Sequence, residues 1–286
     1  MKIGLIHRSI RHDTWGKYVL WCLRRYFPLH EVEWCGLNVD VDEFRWASPN
    51  CDIYIRIEDS GLYTVPSAYR PLIYWCGDTH ISDGVDRKRI AEDADFTFVC
   101  QKNAVGDIGD EWLPHSAFYS REGEDRRLFV SAAMVLGADN PIFRRRTELA
   151  QAIRRRYADR NVEIGTGIYF KRMADLYGRS KIVWHHSVGN DVSMRHFEGA
   201  ACGAAVVCSR VVDNGIEDIF GDLLFQYDTD EELFDILDRA SDPYYYLHDG
   251  FPYCGRELHK LVTAKHMYRN RLERLVEKCE TLAGHG

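Results

Sequence analysis

The sequence is short of several things, and each shortage removes a class of function. No apolar run approaches the roughly 20 residues needed to cross a bilayer, so no membrane-spanning helix and no stable membrane insertion are expected. The opening MKIGLIHRSIRHD holds only a brief apolar run before His7 and Arg8, with no small-residue cleavage site after it. No export signal is read there, and a cytoplasmic protein is expected. Positive charge is in deficit: 37 Lys and Arg against 44 Asp and Glu give a formal net charge of −7 at pH 7. That balance speaks against a wholly basic nucleic-acid binder and leaves local basic clusters open, such as Arg144 to Arg146 and Arg154 to Arg156. None of the nine cysteines forms a Cys-x-x-Cys pair, and most lie in apolar surroundings such as IYWCG, FTFVCQ and VVCS. Free, buried thiols in a reducing compartment fit better than disulfides or a zinc site. Gly165-x-Gly167 lacks the third Gly and the acidic partner of a dinucleotide fingerprint, which disfavours an NAD-dependent enzyme.

What is present is an alternation of short apolar runs with helical patterns. KIGLIH, EVEWCG, CDIYIRIE, RPLIYWCGD, DFTFVCQ and EWLPHS read as strands, with a helix over Thr14 to Tyr26. The pattern then restarts with LFVSAAMVLG, NVEIGTG, KIVWHHS, AAVVCS and LLFQY as strands. Helices are expected over 143–157, in FKRMADLYGRS and in DEELFDILDRAS. Such alternation predicts mostly parallel sheets with ligands at the strand C-terminal ends. REGEDRR, residues 121 to 127, is the expected linker. The chain is therefore expected to hold one α/β unit over 1–122, a second over 123–255, and a charged helical tail over 256–286. Two such units place the main cleft between them.

DVSMRHFEGAACGAAVVCS, residues 191 to 209, stands out because an Arg and a Glu three residues apart run into Ala, Gly, Cys and Val. A helix beginning near Val192 to Arg195 and ending at Gly203 is expected, its small residues letting it lie close to the sheet. Its N-terminus offers free N–H groups and a positive dipole to an anion. Arg195 adds a fork of donors suited to phosphate. Glu198, one turn on, suits a ribose diol.

FEGAACGAAVV, residues 197 to 207, resembles the E-A-x-A-x-G-x-P-V-V signature of glycosyltransferases with the two-domain B-type fold. With LYGRSKIVWHHS before it and HMYRNR after it, residues 175 to 275 are most similar to the spore-maturation-protein-like family of small glycosyltransferases. The resemblance implies two Rossmann-like domains facing a cleft, with a C-terminal helix crossing back to the first. It implies transfer of a sugar from a nucleotide-diphosphate sugar, a UDP-sugar foremost, to an acceptor hydroxyl with retention of configuration. It further implies that Glu198 binds the donor ribose, that Arg195 and the N–H groups of Ser193 and Met194 face the diphosphate, and that one of Arg144, Arg145 or Arg146 approaches it too, with Arg145 preferred. Asn190 stands where the broader group often carries a second Glu for the donor sugar, and Ala205 replaces the usual Pro. Asn190 is also the feature that favours the alternative, a non-catalytic nucleotide-sugar-binding protein of the same fold.

On the acceptor side, Asp78 and His80 follow the strand IYWCG and are candidates to orient or deprotonate an acceptor hydroxyl. The competing reading has Asp78 capping the next helix and His80 packed. His7 and Arg8, after the first strand, are acceptor-side candidates or an ordinary polar loop. His185 and His186, adjacent on a strand, point to opposite faces, so one of them, with His186 preferred, faces the donor. His115 could face the cleft as well. Asp40-x-Asp42, Asp93-x-Asp95 and Asp228-x-Asp230 imitate a metal-binding acidic pair but sit where Asp serves as a cap. No metal and no cofactor are expected. The acceptor classes left open are a hydroxymethylated DNA base and a cell-surface or small-molecule sugar.

Overall fold

The computed structural model describes residues 1–7, 15–38, 43–45, 49–57, 63–81, 85–121, 123 and 125–284. The chain divides into two compact units, one of Met1–His115 with Tyr268–Gly286 and one of Ser116–Met267. The first contains β1 (Lys2–Ile6), α1 (Gly16–Tyr26), β2 (Glu31–Asn38), β3 (Glu43–Arg45), β4 (Ile53–Ile57), β5 (Leu72–Cys76), α2 (Arg87–Glu92), β6 (Phe96–Val99) and β7 (Glu111–Trp112). They form a sheet of order β3-β2-β1-β4-β5-β6-β7, parallel except for the β2–β3 pair. IYIRI and LIYWC, in β4 and β5, are buried at every position, as central parallel strands covered on both faces must be.

The second unit contains β8 (Leu128–Ala133), α3 (Arg144–Arg156), β9 (Val162–Gly165), α4 (Phe170–Gly178), β10 (Ser180–His185), α5 (Met194–Ala201), β11 (Ala205–Ser209), α6 (Ile216–Phe220), β12 (Phe225–Tyr227), α7 (Asp230–Ser241), α8 (Pro243–His248) and α9 (Phe251–Lys265). Its sheet is wholly parallel, in the order β12-β11-β10-β8-β9. The order reverses between β8 and β10, so the helices after these strands leave toward opposite faces. An open α/β sheet binds its ligand at such a point. Alternate residues of β10 serve the two faces: Ile182 and Trp184 join one core cluster and Val183 the other. His185 therefore shares the Val183 face, and its neighbour His186 lies opposite.

The run of small residues has a geometric cause. A Cβ at Gly199 would meet Val183 Cγ1 at 2.9 Å and Val206 Cγ2 at 3.2 Å, so α5 lies directly on β10 and β11. Gly203 closes the helix with φ of 71°, in the left-handed region that favours glycine. Gly255 of α9 approaches from beyond, where a Cβ would stand 2.4 Å from the Gly203 carbonyl oxygen.

The last helix, α10 (Tyr268–Leu282), belongs to the first unit. Arg271 donates from Nε to the Pro114 carbonyl at 2.8 Å, and Arg274 grips both carboxylate oxygens of Glu111 at 2.6 Å. The expected boundaries at 122/123 and 255/256 fall instead at 115/116 and 267/268. The tail is two helices, because the chain leaves the helical conformation at His266, with φ of −132° and ψ of 30°.

Candidate functional site

The C-terminal end of β8 in the second unit is gripped from both sides. The Ala133 N–H donates to the Tyr177 hydroxyl at 3.0 Å, and the Ala133 carbonyl accepts from Arg195 Nε at 2.6 Å. Arg195 also donates from Nη1 to Glu198 Oε2 at 2.7 Å. Glu198 is 2% exposed and Arg195 17%, so this ion pair is largely withdrawn from water. Its i,i+3 spacing places both side chains on one face of α5.

The entry to α5 is a polar network. Ser193 caps the helix, its Oγ accepting from the Arg195 N–H at 3.2 Å, and its own N–H donates to His196 Nδ1 at 3.1 Å. His185 Nε2 lies 2.9 Å from the same Ser193 oxygen. Burial, with lesser contributions from His196, Arg146 and Arg195, holds the His185 imidazole well below its usual range. Burial likewise lowers His196. Asp191, also buried, accepts the Val188 N–H at 2.9 Å and tightens the loop.

On the other face of β10, Arg146 donates from Nε to the His186 carbonyl at 2.6 Å. Burial pulls the Arg146 guanidinium down to about 10, against the opposing pull of Asp191. His186 Nδ1 stands 3.0 Å from the Tyr227 hydroxyl. Burial first, then the Arg146 and Arg145 charges, push His186 down to about 4, so it is neutral at pH 7. Two guanidinium groups, neutral imidazoles and a helix N-terminus make a place suited to an anion.

Ser193, Met194, Arg195 and Glu198 thus lie on the entry and first turns of α5, with Arg195 bonded to the end of β8, while His186 follows the end of β10, and three expectations are corrected. The Ser193 N–H does not face outward, because the His196 ring takes it in a capping box. Arg145 is turned to the surface in ion pairs with Asp230 and Glu148, and Arg146 is the buried cation of that run. Asn190, expected on the donor side, has both polar atoms of its side chain engaged within the protein. Its amide clamps the next loop, Nδ2 donating to the Val212 carbonyl at 2.7 Å and Oδ1 accepting the Val212 N–H at 2.8 Å. Arg146 was findable, since it shares the i, i+3, i+4, i+7 face of Leu149, Ala150 and Ile153. His185, His196 and Asp191 gave no such signal.

In the first unit, His7 follows β1, 1% exposed, its ring edge-on to Trp34 at 5.9 Å and close against Gly16. It is a packed residue rather than one in an open loop. Arg8 lies outside the described residues, as do Asp40 and Asp42. Asp78 and His80 are half-buried just beyond β5. The cap of α2 is Asp86, whose Oδ1 accepts the Arg89 N–H at 3.0 Å, so Asp78 has no capping duty there. His115 is packed edge-on to Trp15 at 5.3 Å. Asp95 accepts the Leu72 N–H at 2.7 Å, Asp228 pairs with Arg210 at 2.8 Å and Asp230 pairs with Arg145. Among the described residues no three His, Cys, Asp or Glu side chains gather as a metal site, and no helix is long and apolar enough to cross a membrane.

Residues 121–277, more than half of the chain, match the model of a glycosyl transferase-like family. No curated protein matches the chain. Among solved structures it is similar to HepE of Anabaena in complex with UDP and glucose, at 11% identity and a TM-score of 0.68 over 99% of this chain and 100% of that one. It is similar to sucrose-phosphate synthase of Thermosynechococcus elongatus, at 12% identity and a TM-score of 0.65 over 100% of both. It is also similar to T4 phage BGT in complex with its UDP-glucose substrate, at 11% identity and a TM-score of 0.59 over 98% and 99%. These likenesses show the fold, two Rossmann-like domains of the B type.

Proposed function

Because the chain belongs to the glycosyl transferase-like family, we propose that it moves a sugar from a nucleotide-diphosphate sugar, a UDP-sugar foremost, to an acceptor hydroxyl with retention. The observation that carries the reading is the convergence of Arg195, Arg146, Glu198 and the α5 N-terminus where β8 and β10 part. The UDP and UDP-glucose bound by HepE and T4 phage BGT support the donor class. Arg195, Arg146 and the helix dipole offset the charge that grows on the leaving diphosphate, and preorganised charge of this kind is the strongest catalytic effect open to such a site. Glu198 takes the ribose diol with the carboxylate oxygen that Arg195 leaves over. The bond from the anomeric carbon to the diphosphate oxygen breaks, and the acceptor oxygen bonds on the same face. The acceptor proton passes to the departing phosphate oxygen. This mechanism asks for no metal, and chelation is expected to leave the rate unchanged. Asp78 or His80 orients the acceptor, whose class is a hydroxymethylated DNA base or a cell-surface or small-molecule sugar.

The test is thermal unfolding with UDP-, GDP-, CMP-, ADP- and dTDP-sugars, on wild type and Glu198→Gln. A donor at 100 times its dissociation constant adds about 2.7 kcal/mol to the folded state. One nucleotide class stabilises wild type and loses its effect on Glu198→Gln. No response, or equal responses, sinks the reading. The loop-clamping duty of Asn190 favours a second reading, a donor-binding protein without transfer. Slow nucleotide release from the donor without acceptor excludes it.

A further inference from the structure

We propose that the outer face of α1 is a docking surface for an anionic phospholipid bilayer, on which Lys17, Arg24 and Arg25 meet lipid phosphates and Trp21 enters the interface. The proposal concerns the first unit alone and is independent of the donor reading.

The two faces of α1 differ in kind. Tyr18, Val19, Cys22 and Leu23 are buried. Lys17, Leu20, Trp21, Arg24 and Arg25 recur at i, i+3, i+4, i+7 and i+8, and so share the opposite face. They line one open depression of about 670 Å³. Trp side chains are mostly withdrawn from water, yet Trp21 is 51% exposed, its ring edge-on to that of Tyr26 at 6.0 Å. Leu29, in the turn after the helix, is 91% exposed. Arg269 of α10 holds its guanidinium 5.7 Å from the centre of the Tyr26 ring.

Charge decides what kind of partner this face fits. The chain is acidic overall, and many of its arginines are taken up by carboxylates, as Arg145 is by Asp230, Arg156 by Asp238 and Arg274 by Glu111. Lys17, Arg24 and Arg25 form no ion pair with a described residue, although Arg24 gives one N–H to the Val32 carbonyl at 3.2 Å. Glu31 and Glu33 of β2 share a second depression with Lys17 and Arg24, but Lys2 meets both acids, at 4.0 and 3.1 Å. The face therefore offers three uncompensated cations with apolar groups among them. A nucleic-acid strand would use the cations but has nothing for an aliphatic side chain such as Leu29. A bilayer surface uses both: phosphates take the cations, and the acyl boundary takes the Trp and Leu side chains. Such contact is reversible adhesion and asks for no helix that crosses the bilayer.

The test is sedimentation of the protein with vesicles of phosphatidylcholine alone, or of phosphatidylcholine with an equal part of phosphatidylglycerol. Binding to the anionic vesicles is expected, weakened by salt, with none to the neutral ones. Lys17→Gln and Arg25→Gln are each expected to weaken partitioning about fivefold, the share of one cation near an anionic surface. Trp21→Ser is expected to weaken it about tenfold. Arg155→Gln, at an exposed cation of α3, changes the net charge by the same amount and keeps the affinity. Brominated lipid quenches the fluorescence of wild type more than that of Trp21→Phe. Equal urea midpoints guard against a folding defect in any variant. Failure to sediment with anionic vesicles overturns the proposal, and so does equal affinity for neutral ones. Losses no larger in the α1 variants than in Arg155→Gln place the contact elsewhere and overturn it too. A single-stranded oligonucleotide that binds through Lys17, Trp21 and Arg25, with no vesicle binding, reassigns the face to nucleic acid.

Discussion

At the Glu198 carboxylate, stability and binding are tied together. With 2% exposure and Arg195 as partner, it belongs to a buried pair, and such pairs are costly to break from one side only. Glu198→Ala strands the Arg195 charge and is expected to lower stability by about 3 kcal/mol in urea denaturation. Adding Arg195→Met recovers much of that loss, since an apolar pair of similar volume needs no partner. A double variant that falls by the sum of the two single losses would show that the pair is not coupled. This coupling is why ligand-induced shifts, rather than absolute melting temperatures, report donor binding in Glu198 variants. His186 is the second residue whose state can be read. Its folded value is near 4 against about 6.5 for a free imidazole, so below pH 6.5 the unfolded chain takes up a proton that the folded chain refuses. Stability contributed by neutral His186 is present above pH 6.5 and is lost as pH falls toward 4. His185 and His196 act in the same direction. His186→Gln keeps a partner for the Tyr227 hydroxyl and removes the titration. Between pH 6 and 5 its stability is expected to fall less steeply than wild type by about 1 kcal/mol per pH unit. Equal slopes in urea titrations would mean that His186 is charged in the folded state.

Among the elements, α5 is the one whose sequence most directly states its packing. Gly199 rests on the side chains of Val183 and Val206, nearest a Val183 methyl at 2.9 Å from an added Cβ, whereas an added Cβ at Gly255 of α9 would stand 2.4 Å from the Gly203 carbonyl oxygen. Gly199→Ala also gains about 1 kcal/mol of helix propensity, which offsets part of its overpacking. Gly255→Ala, equally helical, must push a backbone oxygen and its loop aside. Gly255→Ala is therefore expected to destabilise by about 2 kcal/mol, clearly more than Gly199→Ala, and urea midpoints of the two variants decide. The reverse order would mean that α9 shifts more easily than two valines. These contacts explain what the sequence could and could not disclose. KIVWHHS and AAVVCS were legible as strands because a central parallel strand needs an unbroken apolar run, and GAACGAA was legible because small residues mark close backbones. Arg195 and Glu198 were legible as a pair through their i,i+3 spacing. The loop between β10 and α5 was not: the clamp from Asn190 to Val212 spans 22 residues, and the His185–Ser193 contact joins a strand end to a helix cap. Neither has a period. Arg145 was preferred over Arg146 because three consecutive arginines look alike until the apolar face of α3 says which one turns inward. The break at His266 was missed because charged, helix-favouring residues flank it on both sides.

For the whole molecule, the covalent order and the cooperative units do not coincide. The first unit includes a helix distant from it in sequence, since α10 buries Leu272, Leu275, Val276 and Cys279 and sets Tyr268 against Tyr18 of α1, ring centroids 5.5 Å apart. Arg271, pulled down to about 10 by burial, ties α10 to the Pro114 and His115 carbonyls that end the segment before the second unit begins. The first unit holds a seven-stranded sheet and the second a five-stranded one. Each sheet therefore has its own hydrogen-bonded ladder, and a fault in one core should be felt first by the elements that share it. Leu275→Ala in the full chain opens a cavity in the first unit and is expected to reduce its stability by about 2–5 kcal/mol. In native-state hydrogen exchange, the slow amides of α1, β5 and α10 should lose protection by a common amount, although α1 and α10 lie at opposite ends of the chain. Slow amides of β8, β10 and α5 should keep the protection they have in wild type. Loss confined to α10 would show that the helix is an accessory laid on a finished fold. An equal loss in β8, β10 and α5 would show that both units unfold as one body.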